Sequence, residues 1–356
     1  MSLVILAMAA MCLWGMKIGI KEPLGDFISK ESTEAAKGIF VLIVFISHSK
    51  GYVTYSGGIW DDLAVKVCEA LNQLMVVPFF LYSGYGIGTS LITKENYGKT
   101  FMAKRFLPVL LKFDFVVLLY LAASLVTGVR YSLYETLKSF AGWESVGNSN
   151  WFICVTLILY VAVYVSSLIS KGSVKKTAAL IGVITVLYIV AAKIIGRPEP
   201  WYDTVIAFPV GVFLAVYRDA FDRATEKIAG WVLSLGASTA LFLVCWYALK
   251  FAGESSALRV VLLSFKTLFF GLALVIVTRR FSPRNKVLAF FGRHVFGIYI
   301  LQRLPMMLLT FFFPTVHPWL FASVSFAATV ILSLLFDRFI RPEAILFGRK
   351  GKKKNP

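Results

Sequence analysis

The sequence predicts an all-α membrane protein, a bundle of about eleven transmembrane helices, and three observations indicate this class. The chain of 356 residues is 58% hydrophobic and only 16% charged, with a mean hydropathy of +0.76. Soluble domains are about 45–50% apolar and about 25% charged. Apolar stretches of about 20 residues, the length that crosses a bilayer core, recur along the whole chain. The net charge of +18 is divided unevenly between alternate loops, as in proteins with several membrane spans.

The predicted spans follow one another through short loops, which leave no room for a separate soluble domain. They cover residues 2–20, 37–56, 70–92, 106–126, 151–170, 177–195, 203–218, 230–250, 259–278, 293–313 and 318–337. A signal peptide has basic residues before its apolar run, whereas Lys17 and Lys21 come after the first run here. We therefore interpret the first span as a retained anchor.

The basic residues predict the orientation of the bundle. When the loop at 21–37 is placed in the cytoplasm, 26 of the 37 lysines and arginines lie on that side and 8 on the other. Cytoplasmic loops carry such an excess, so we expect the N-terminus outside and the C-terminus inside a cytoplasmic membrane. The sorting accounts for the pI of about 9.7 without a nucleic-acid partner. It also predicts that the basic end of the chain contacts anionic lipid.

His48 is the main candidate for catalysis. The chain has three histidines, and this one falls inside the second predicted span, where an ionisable group costs several kcal/mol. Lys37 precedes it by about three helical turns, so both side chains share one face, roughly 16 Å apart along the axis. We expect Lys37 to open the helix at the cytoplasmic surface and His48 to lie about halfway across. An imidazole there is suited to accepting a hydroxyl proton; a histidine that only hydrogen-bonds a neighbouring helix fits the spacing equally well.

The third predicted span contains a run of small and aromatic residues, Phe79-Phe-Leu-Tyr-Ser-Gly-Tyr85. Because Pro78 removes a backbone hydrogen bond and glycines permit close approach of another helix, Ser83 and Gly84 are candidates for a cavity wall. Packing of small residues between helices is the alternative. Arg105, at the cytoplasmic start of the next span, is a candidate ligand of phosphates, with interfacial anchoring as its alternative.

Four other ionisable residues fall inside or beside predicted spans, and their roles stay open between a ligand site and a structural ion-pair network. They are Lys112, Asp114, Lys266 and Arg303. The sequence has no P-loop, dinucleotide fingerprint, zinc-protease motif or nucleophile elbow. The four cysteines lie far apart without metal-ligand spacing. ATP-driven and metal-dependent reactions are therefore disfavoured, and we expect no metal site.

Several motifs together resemble the acyltransferase-3 family of bacterial membrane O-acyltransferases. Lys37 and His48 match the family's basic residue and histidine with ten residues between them. Further family motifs match in order at 79–85, 105–108, 150–152 and 292–299. The matches run across residues 37–302, which is most of the chain.

The sequence also departs from the family pattern. Lys37 stands where the family usually has arginine, which keeps the charge but loses bidentate recognition. Gln302 stands where the family has a second histidine, and an extra span precedes the family's ten-helix core. The resemblance thus implies an anchor helix and linker at 1–36, an acyltransferase core at 37–340 and a basic cytoplasmic tail at 341–356.

The resemblance implies that an acyl group, usually acetyl from acetyl-CoA, is transferred to a hydroxyl of an extracytoplasmic glycan or lipid-linked sugar. It implies His48 as the base or transient acyl carrier, and Lys37 and Arg105 as ligands of the CoA phosphates. The residues implied for the cavity are Ser83, Gly84, Tyr85, Trp151 and Tyr299. Acyl-CoA is a donor co-substrate, and no permanently bound cofactor is expected. The alternative function is a transporter that exports a glycan or lipid.

Overall fold

A computed structural model of the protein describes residues 1–342 and Leu346. The basic tail predicted at 341–356 therefore lies outside the described residues, apart from Arg341, Pro342 and Leu346. Apart from two short strands, all regular secondary structure in the described chain is helical, which confirms the all-α membrane class.

The helices follow one another along the chain through short loops. The first nine are α1 (Ser2–Trp14), α2 (Lys30–Ser49), α3 (Ile59–Leu71), α4 (Val77–Thr93), α5 (Tyr97–Phe101), α6 (Leu107–Thr127), α7 (Leu133–Phe140), α8 (Trp151–Ile169) and α9 (Val174–Ile194). The others are α10 (Ala207–Val216), α11 (Arg218–Glu226), α12 (Ile228–Ala248), α13 (Ala257–Thr278), α14 (Lys286–Arg293), α15 (Val295–Leu301), α16 (Arg303–Phe312) and α17 (Pro318–Phe339). Strands β1 (Met16–Ile18) and β2 (Phe281–Pro283) pair antiparallel.

Eight stretches in the described chain are long and apolar enough to cross a membrane, rather than the eleven that the sequence predicts. They are Ile59–Thr93, Tyr97–Thr127, Trp151–Ile169, Val174–Ile194, Ile228–Ala248, Ala257–Thr278, Val295–Phe312 and Pro318–Phe339. The other three predicted spans coincide with α1 and α10, which have 13 and 10 residues, and with α2, whose first turns are charged.

Two predicted boundaries were wrong. The helix in the first span ends at Trp14, because the next residues form β1 against β2. The second span does not begin at Lys37: the Ser29 hydroxyl accepts a hydrogen bond from the Ser32 amide and caps α2 at Lys30. Lys37 therefore lies about two turns inside the helix, and His48 lies in the last turn rather than halfway across.

Glycines bring two pairs of helices into backbone contact. A side chain at Gly84 of α4 would overlap the Phe208 carbonyl of α10, and one at Gly211 would overlap the Leu81 carbonyl in return. The helices α2 and α14 meet in the same way, with Gly38 against Leu288. These close contacts hold α2 and α4 in fixed positions, and the space between them contains the site described below.

The end of the bundle next to β1 and β2, here called the basic face, contains four arginines that bind surrounding backbone and carboxylates. This arginine cluster consists of Arg218, Arg279, Arg280 and Arg284. Arg280 is 1% exposed and donates to the carbonyls of Gly19, Ile20 and Glu226. The cluster thus joins the first loop to segments more than 190 residues further along the chain.

Candidate functional site

A cavity of about 300 Å³ lies between α2, α4, α6, α8 and α15. Its wall is mainly aromatic, with contributions from Phe79, Phe80, Phe152, Tyr160, Phe296 and Tyr299. The polar residues in the wall are Thr33, Lys37, Ser83 and Thr156 together with the tyrosine hydroxyls. An apolar cavity with a few convergent polar groups is the usual form of a small-molecule site.

Lys37 provides the cation of this cavity. It is half-buried on α2 and lines the wall, so the helix carries its charge into the bundle from the basic face. Glu34, about one turn earlier, forms ion pairs with Lys30 and Arg293 at 3.8 and 3.5 Å. The nearest acidic neighbour of Lys37 is therefore already engaged by two other cations.

His48 lies at the far end of the same helix, beyond the cavity wall. Its ring contacts Tyr299, with the ring centroids 6.2 Å apart, and Tyr299 lines the cavity. The buried Nδ1 atom of His48 has no hydrogen-bond partner among the residues that the structure describes. The face shared by Lys37 and His48 is thus the one that α2 turns toward the cavity, and the Tyr299 ring separates the imidazole from it.

A break between α15 and α16 places Gln302 next to His48. Pro305 lacks the N–H that would bond to the carbonyl four residues earlier, which accounts for the interrupted helix. Gln302 is fully buried and its Nε2 donates to the carbonyl of Tyr299, whereas its Oε1 has no partner within residues 1–342. The residue that replaces the family's second histidine is therefore a direct neighbour of the first.

Arg105 reaches the cavity through a tyrosine. Its Nε donates to the Tyr97 hydroxyl over 3.3 Å. The Tyr160 hydroxyl lies close to both the Arg105 guanidinium and the Ser83 hydroxyl, and Tyr160 and Ser83 line the cavity. Arg105 itself stands outside the wall, next to the cavity-lining Tyr160, whereas Lys37 belongs to the wall.

The sequence reasoning missed Tyr160 and its neighbours on α8. Phe152, Thr156 and Tyr160 recur at intervals of four residues and all line the cavity. Such spacing places side chains on one face of a helix, and this stripe was the signal that could have identified them. Tyr97 has no comparable signal, because its position depends on contacts with other helices.

Three residues expected in the cavity wall lie elsewhere. Gly84 packs against the backbone at Phe208, and the Tyr85 hydroxyl accepts a hydrogen bond of 2.6 Å from Arg218 at the basic face. Trp151 stands edge-on to Phe152, with centroids 5.8 Å apart, behind the wall. The cavity wall brings together Lys37, Ser83 and Tyr299, and His48 lies against Tyr299.

The site contains few groups suited to a metal ion. Within the described part of the chain, no three His, Cys, Asp or Glu side chains are grouped closely enough to hold one. The chemistry available is that of an imidazole, hydroxyls, a buried amide and two flanking cations.

A family model described as an acyltransferase domain matches residues 31–338. The match covers most of the chain, from the first turn of α2 to the last turn of α17, and includes every residue named above as lining the cavity. No curated protein and no solved structure matches the chain significantly.

Proposed function

The chain belongs to the acyltransferase-3 family, and from this membership we propose that it transfers an acyl group, acetyl in particular, from acyl-CoA to a hydroxyl of an extracytoplasmic glycan or lipid-linked sugar. As a family member it is a membrane-bound acyltransferase. The donor, the acetyl group and the class of acceptor are the parts that we propose.

In this proposal the basic face is cytoplasmic and the bundle has eleven spans, with the N-terminus outside and the C-terminus inside a bacterial cytoplasmic membrane. The excess of basic residues on this side supports that orientation. Residues 1–36 then form an anchor and linker, 37–340 the catalytic core and 341–356 a basic tail.

Acyl-CoA enters from the basic face. Its phosphates bind Lys37 and Arg105, since charge-assisted bonds between cations and phosphate are among the stronger hydrogen bonds in proteins. The pantetheine arm occupies the aromatic cavity and carries the thioester toward Tyr299. The observation that carries this proposal is the position of the cavity, which has Lys37 in its wall and ends at a tyrosine in contact with His48.

His48 then acts on the acceptor hydroxyl that arrives from the opposite face. As a base, its imidazole removes the hydroxyl proton while the oxygen attacks the thioester carbonyl; the C–S bond breaks, and the thiolate takes up a proton to leave as CoA thiol. As an acyl carrier, the imidazole nitrogen attacks the thioester first and the acceptor oxygen then displaces it from the acyl group. Both routes give the same ester and CoA.

The replacement His48→Ala tests the assignment. We expect acyl transfer from acetyl-CoA in reconstituted membranes to be abolished, while CoA still raises the thermal midpoint of the purified protein. The matched control is His317→Asn, because His317 lies on an exposed loop and its ring caps α17 through Nδ1, a role that asparagine preserves. Undiminished transfer by a stably folded His48→Ala protein would refute the assignment.

Two further measurements sharpen the proposal. After incubation with labelled acetyl-CoA and no acceptor, rapid denaturation at neutral pH, where an acyl-imidazole survives longer than in acid, should leave label on the wild type but not on His48→Ala if His48 carries the acyl group. Mass spectrometry of surface glycans from cells with and without the protein identifies the acceptor by the loss of one acetyl mass. A glycan exporter, the alternative function, would show no stabilisation by CoA.

A further inference from the structure

Arg303 is a cation on the His48 side of the cavity whose role the acyl-transfer scheme does not explain. It follows the helix break at Gln302 and begins α16. Its Nε donates to the Tyr52 hydroxyl over 3.2 Å, and the guanidinium carbon lies 5.9 Å from the centroid of the Tyr52 ring. His48 lies within electrostatic range of the same guanidinium. The charge therefore stands beside the catalytic imidazole, at the end of the site opposite Lys37.

The groups around Arg303 are tyrosines rather than carboxylates. Tyr52, Tyr120, Tyr131 and Tyr299 all lie near its charge. Among the described residues, no carboxylate stands within ion-pair distance of Arg303, and neither terminal nitrogen has a hydrogen-bond partner. The residue is only half-buried. The two terminal nitrogens of Arg303 therefore have no partner among the described residues, and the side chain is partly accessible.

This arrangement differs from that of Arg197 and Arg259, two other arginines near the same end of the bundle. Arg197 forms an ion pair with Glu144 at 3.9 Å. Arg259, at the start of α13, pairs with both carboxylate oxygens of Glu199. A cation held only for structure normally acquires such a counter-ion, because an uncompensated charge beside a membrane is costly. Arg303 has no such counter-ion among the described residues, which leaves its terminal nitrogens available to an anion from outside the chain.

The loop between α7 and α8 adds a second unsatisfied group at this place. Gly147 lies beside Tyr131 and the Met307 sulfur, at 3.8 and 3.3 Å from the position of a Cβ atom. The next residue, Asn148, is 1% exposed, and its Nδ2 has no partner in the described part of the chain. Buried polar groups are usually paired, so the loop beside Tyr131 contains an unsatisfied donor in addition to those of Arg303.

We propose that Arg303 is the anion-binding residue of the acceptor site: it binds a phosphate or carboxylate of the acceptor and so places a neighbouring hydroxyl at His48. This inference rests on the proposed acyltransferase function and adds a substrate class to it, an acidic glycan or a phosphate-bearing glycolipid. The planar guanidinium binds both groups with two parallel hydrogen bonds. The Tyr52 hydroxyl holds Nε, so the fork of terminal nitrogens stays directed away from Tyr52.

The test measures anion binding with the donor site already filled. The purified protein in phosphatidylcholine nanodiscs, saturated with CoA, is titrated with inorganic phosphate, glucuronate or neutral glucose while its thermal midpoint is recorded. We expect phosphate or glucuronate, but not glucose, to raise the midpoint further. In Arg303→Gln the apparent affinity for the active anion falls by about tenfold to a hundredfold, the usual contribution of a hydrogen bond to a charged group.

Two variants separate recognition from structure. Arg303→Lys keeps the charge but not the fork, so we expect partial recovery of the anion-induced shift. Lys193→Gln removes a charge at the same end of the bundle, where Lys193 donates to the Glu254 carbonyl, and should leave the shift intact. Repetition in phosphatidylglycerol nanodiscs distinguishes the sources of the anion: an acceptor group still shifts the midpoint there, whereas a lipid headgroup that fills the site abolishes the shift.

The outcomes distinguish this inference from the function on which it rests. If CoA itself fails to stabilise the protein, the proposed function is wrong. If CoA stabilises it but phosphate and glucuronate add nothing, or add the same to Arg303→Gln, the acceptor-site assignment is wrong and the function stands. Loss of the anion effect in phosphatidylglycerol also overturns the assignment, because Arg303 would then bind lipid.

Discussion

The arginine cluster of the basic face and Arg303 at the His48 end are bound in opposite ways. At the basic face, Arg218, Arg279, Arg280 and Arg284 each use at least one terminal nitrogen to hold a carbonyl or a carboxylate. At the His48 end, Arg303 uses only Nε, which donates to a tyrosine, and its terminal nitrogens are unpaired within the described residues. The terminal nitrogens of the arginines at the basic face are thus paired within the fold, whereas those of Arg303 have no partner among the described residues.

The comparison teaches how to separate structural from functional charge in a membrane protein. Desolvation makes every buried polar group costly, so a group that the fold uses is paired by the fold. At the His48 end, His48, Gln302 and Asn148 have buried atoms without a partner among the described residues, and the terminal nitrogens of Arg303 have none either. At the basic face Arg279, Arg280 and Arg284 leave Nε unpaired, but each binds a partner through its terminal nitrogens. Replacements at paired groups should therefore lower stability, and replacements at unpaired groups should lower activity.

The largest effect is expected at Gly84, where the backbones of two helices are in contact. In Gly84→Val the new side chain would overlap the Phe208 carbonyl, and the free energy of unfolding should fall by about 3 kcal/mol or more, the upper range for overpacking. Gly86 of the same helix is the matched control, since no atom of the described chain lies within 4 Å of its Cβ position. Thermal unfolding in detergent measures both variants; equal midpoints would mean that α4 and α10 do not pack as described.

Arg280→Ala should come next. It removes three hydrogen bonds from a charged group that is 1% exposed, and we expect a loss of about 2–3 kcal/mol in the free energy of unfolding. Arg303→Ala is the comparison at the His48 end, with an expected loss below about 1 kcal/mol. Equal losses of stability in the two variants would mean that the paired Arg280 and the unpaired Arg303 do not differ in their structural roles.

Lys37→Ala tests the role of the lysine in the cavity wall. Loss of the proposed contact to the CoA phosphates should raise the KM for acetyl-CoA by about tenfold to a hundredfold with little change in unfolding temperature. Lys37→Arg should restore most of the affinity, because the charge returns. Lys30→Ala removes an equal charge two turns earlier on α2, from a side chain that is 88% exposed, and an identical effect there would contradict the site.

The smallest effect is expected at Asp26, on the rim of the arginine cluster. The Arg284 guanidinium holds the pKa of the Asp26 carboxyl below its usual range. A carboxyl with a lowered pKa in the folded state stabilises fully above its unfolded pKa and loses this contribution as the pH falls through the folded pKa. Because Asp26 is half-exposed, Asp26→Asn should cost about 0.5 kcal/mol at pH 7.

The pH dependence provides the check on this pair. The difference in thermal midpoint between the wild type and Asp26→Asn should shrink steadily below about pH 4, where the unfolded carboxyl begins to protonate. Asp62→Asn, an exposed replacement on α3, is the control and should show no such trend. A difference that grew as the pH fell would reverse the assigned sign.

The sequence allowed prediction of the membrane class, the approximate positions of the helices, and the shared face of Lys37 and His48. These features depend on local hydrophobicity and on the helical repeat, which a single segment contains. Ser83 was a cavity candidate because of the neighbouring proline and glycines and Tyr299 because of the family resemblance; the structure places both in the cavity wall. Family membership, first suggested by five short motifs, is confirmed over residues 31–338.

What the sequence could not provide are the contacts between segments that are distant along the chain. From the sequence Gly84 was suited both to a cavity wall and to a helix contact, and only the position of Phe208 decides between them. The early start of α2 depends on the Ser29 cap, and the end of α1 depends on a strand some 260 residues away. The counter-ions of arginines are likewise a property of the assembled bundle.

The β1–β2 pairing and the Arg280 bonds have a consequence for how members of this family exchange parts. Similarity begins at residue 31, yet two of the three carbonyls bound by Arg280 belong to Gly19 and Ile20. A chain shortened to the region of similarity would keep the guanidinium and lose two of its three acceptors. The leading segment is therefore not an interchangeable module. A chimera that carries another leading segment must still provide backbone carbonyls for Arg280 where Gly19 and Ile20 provide them here.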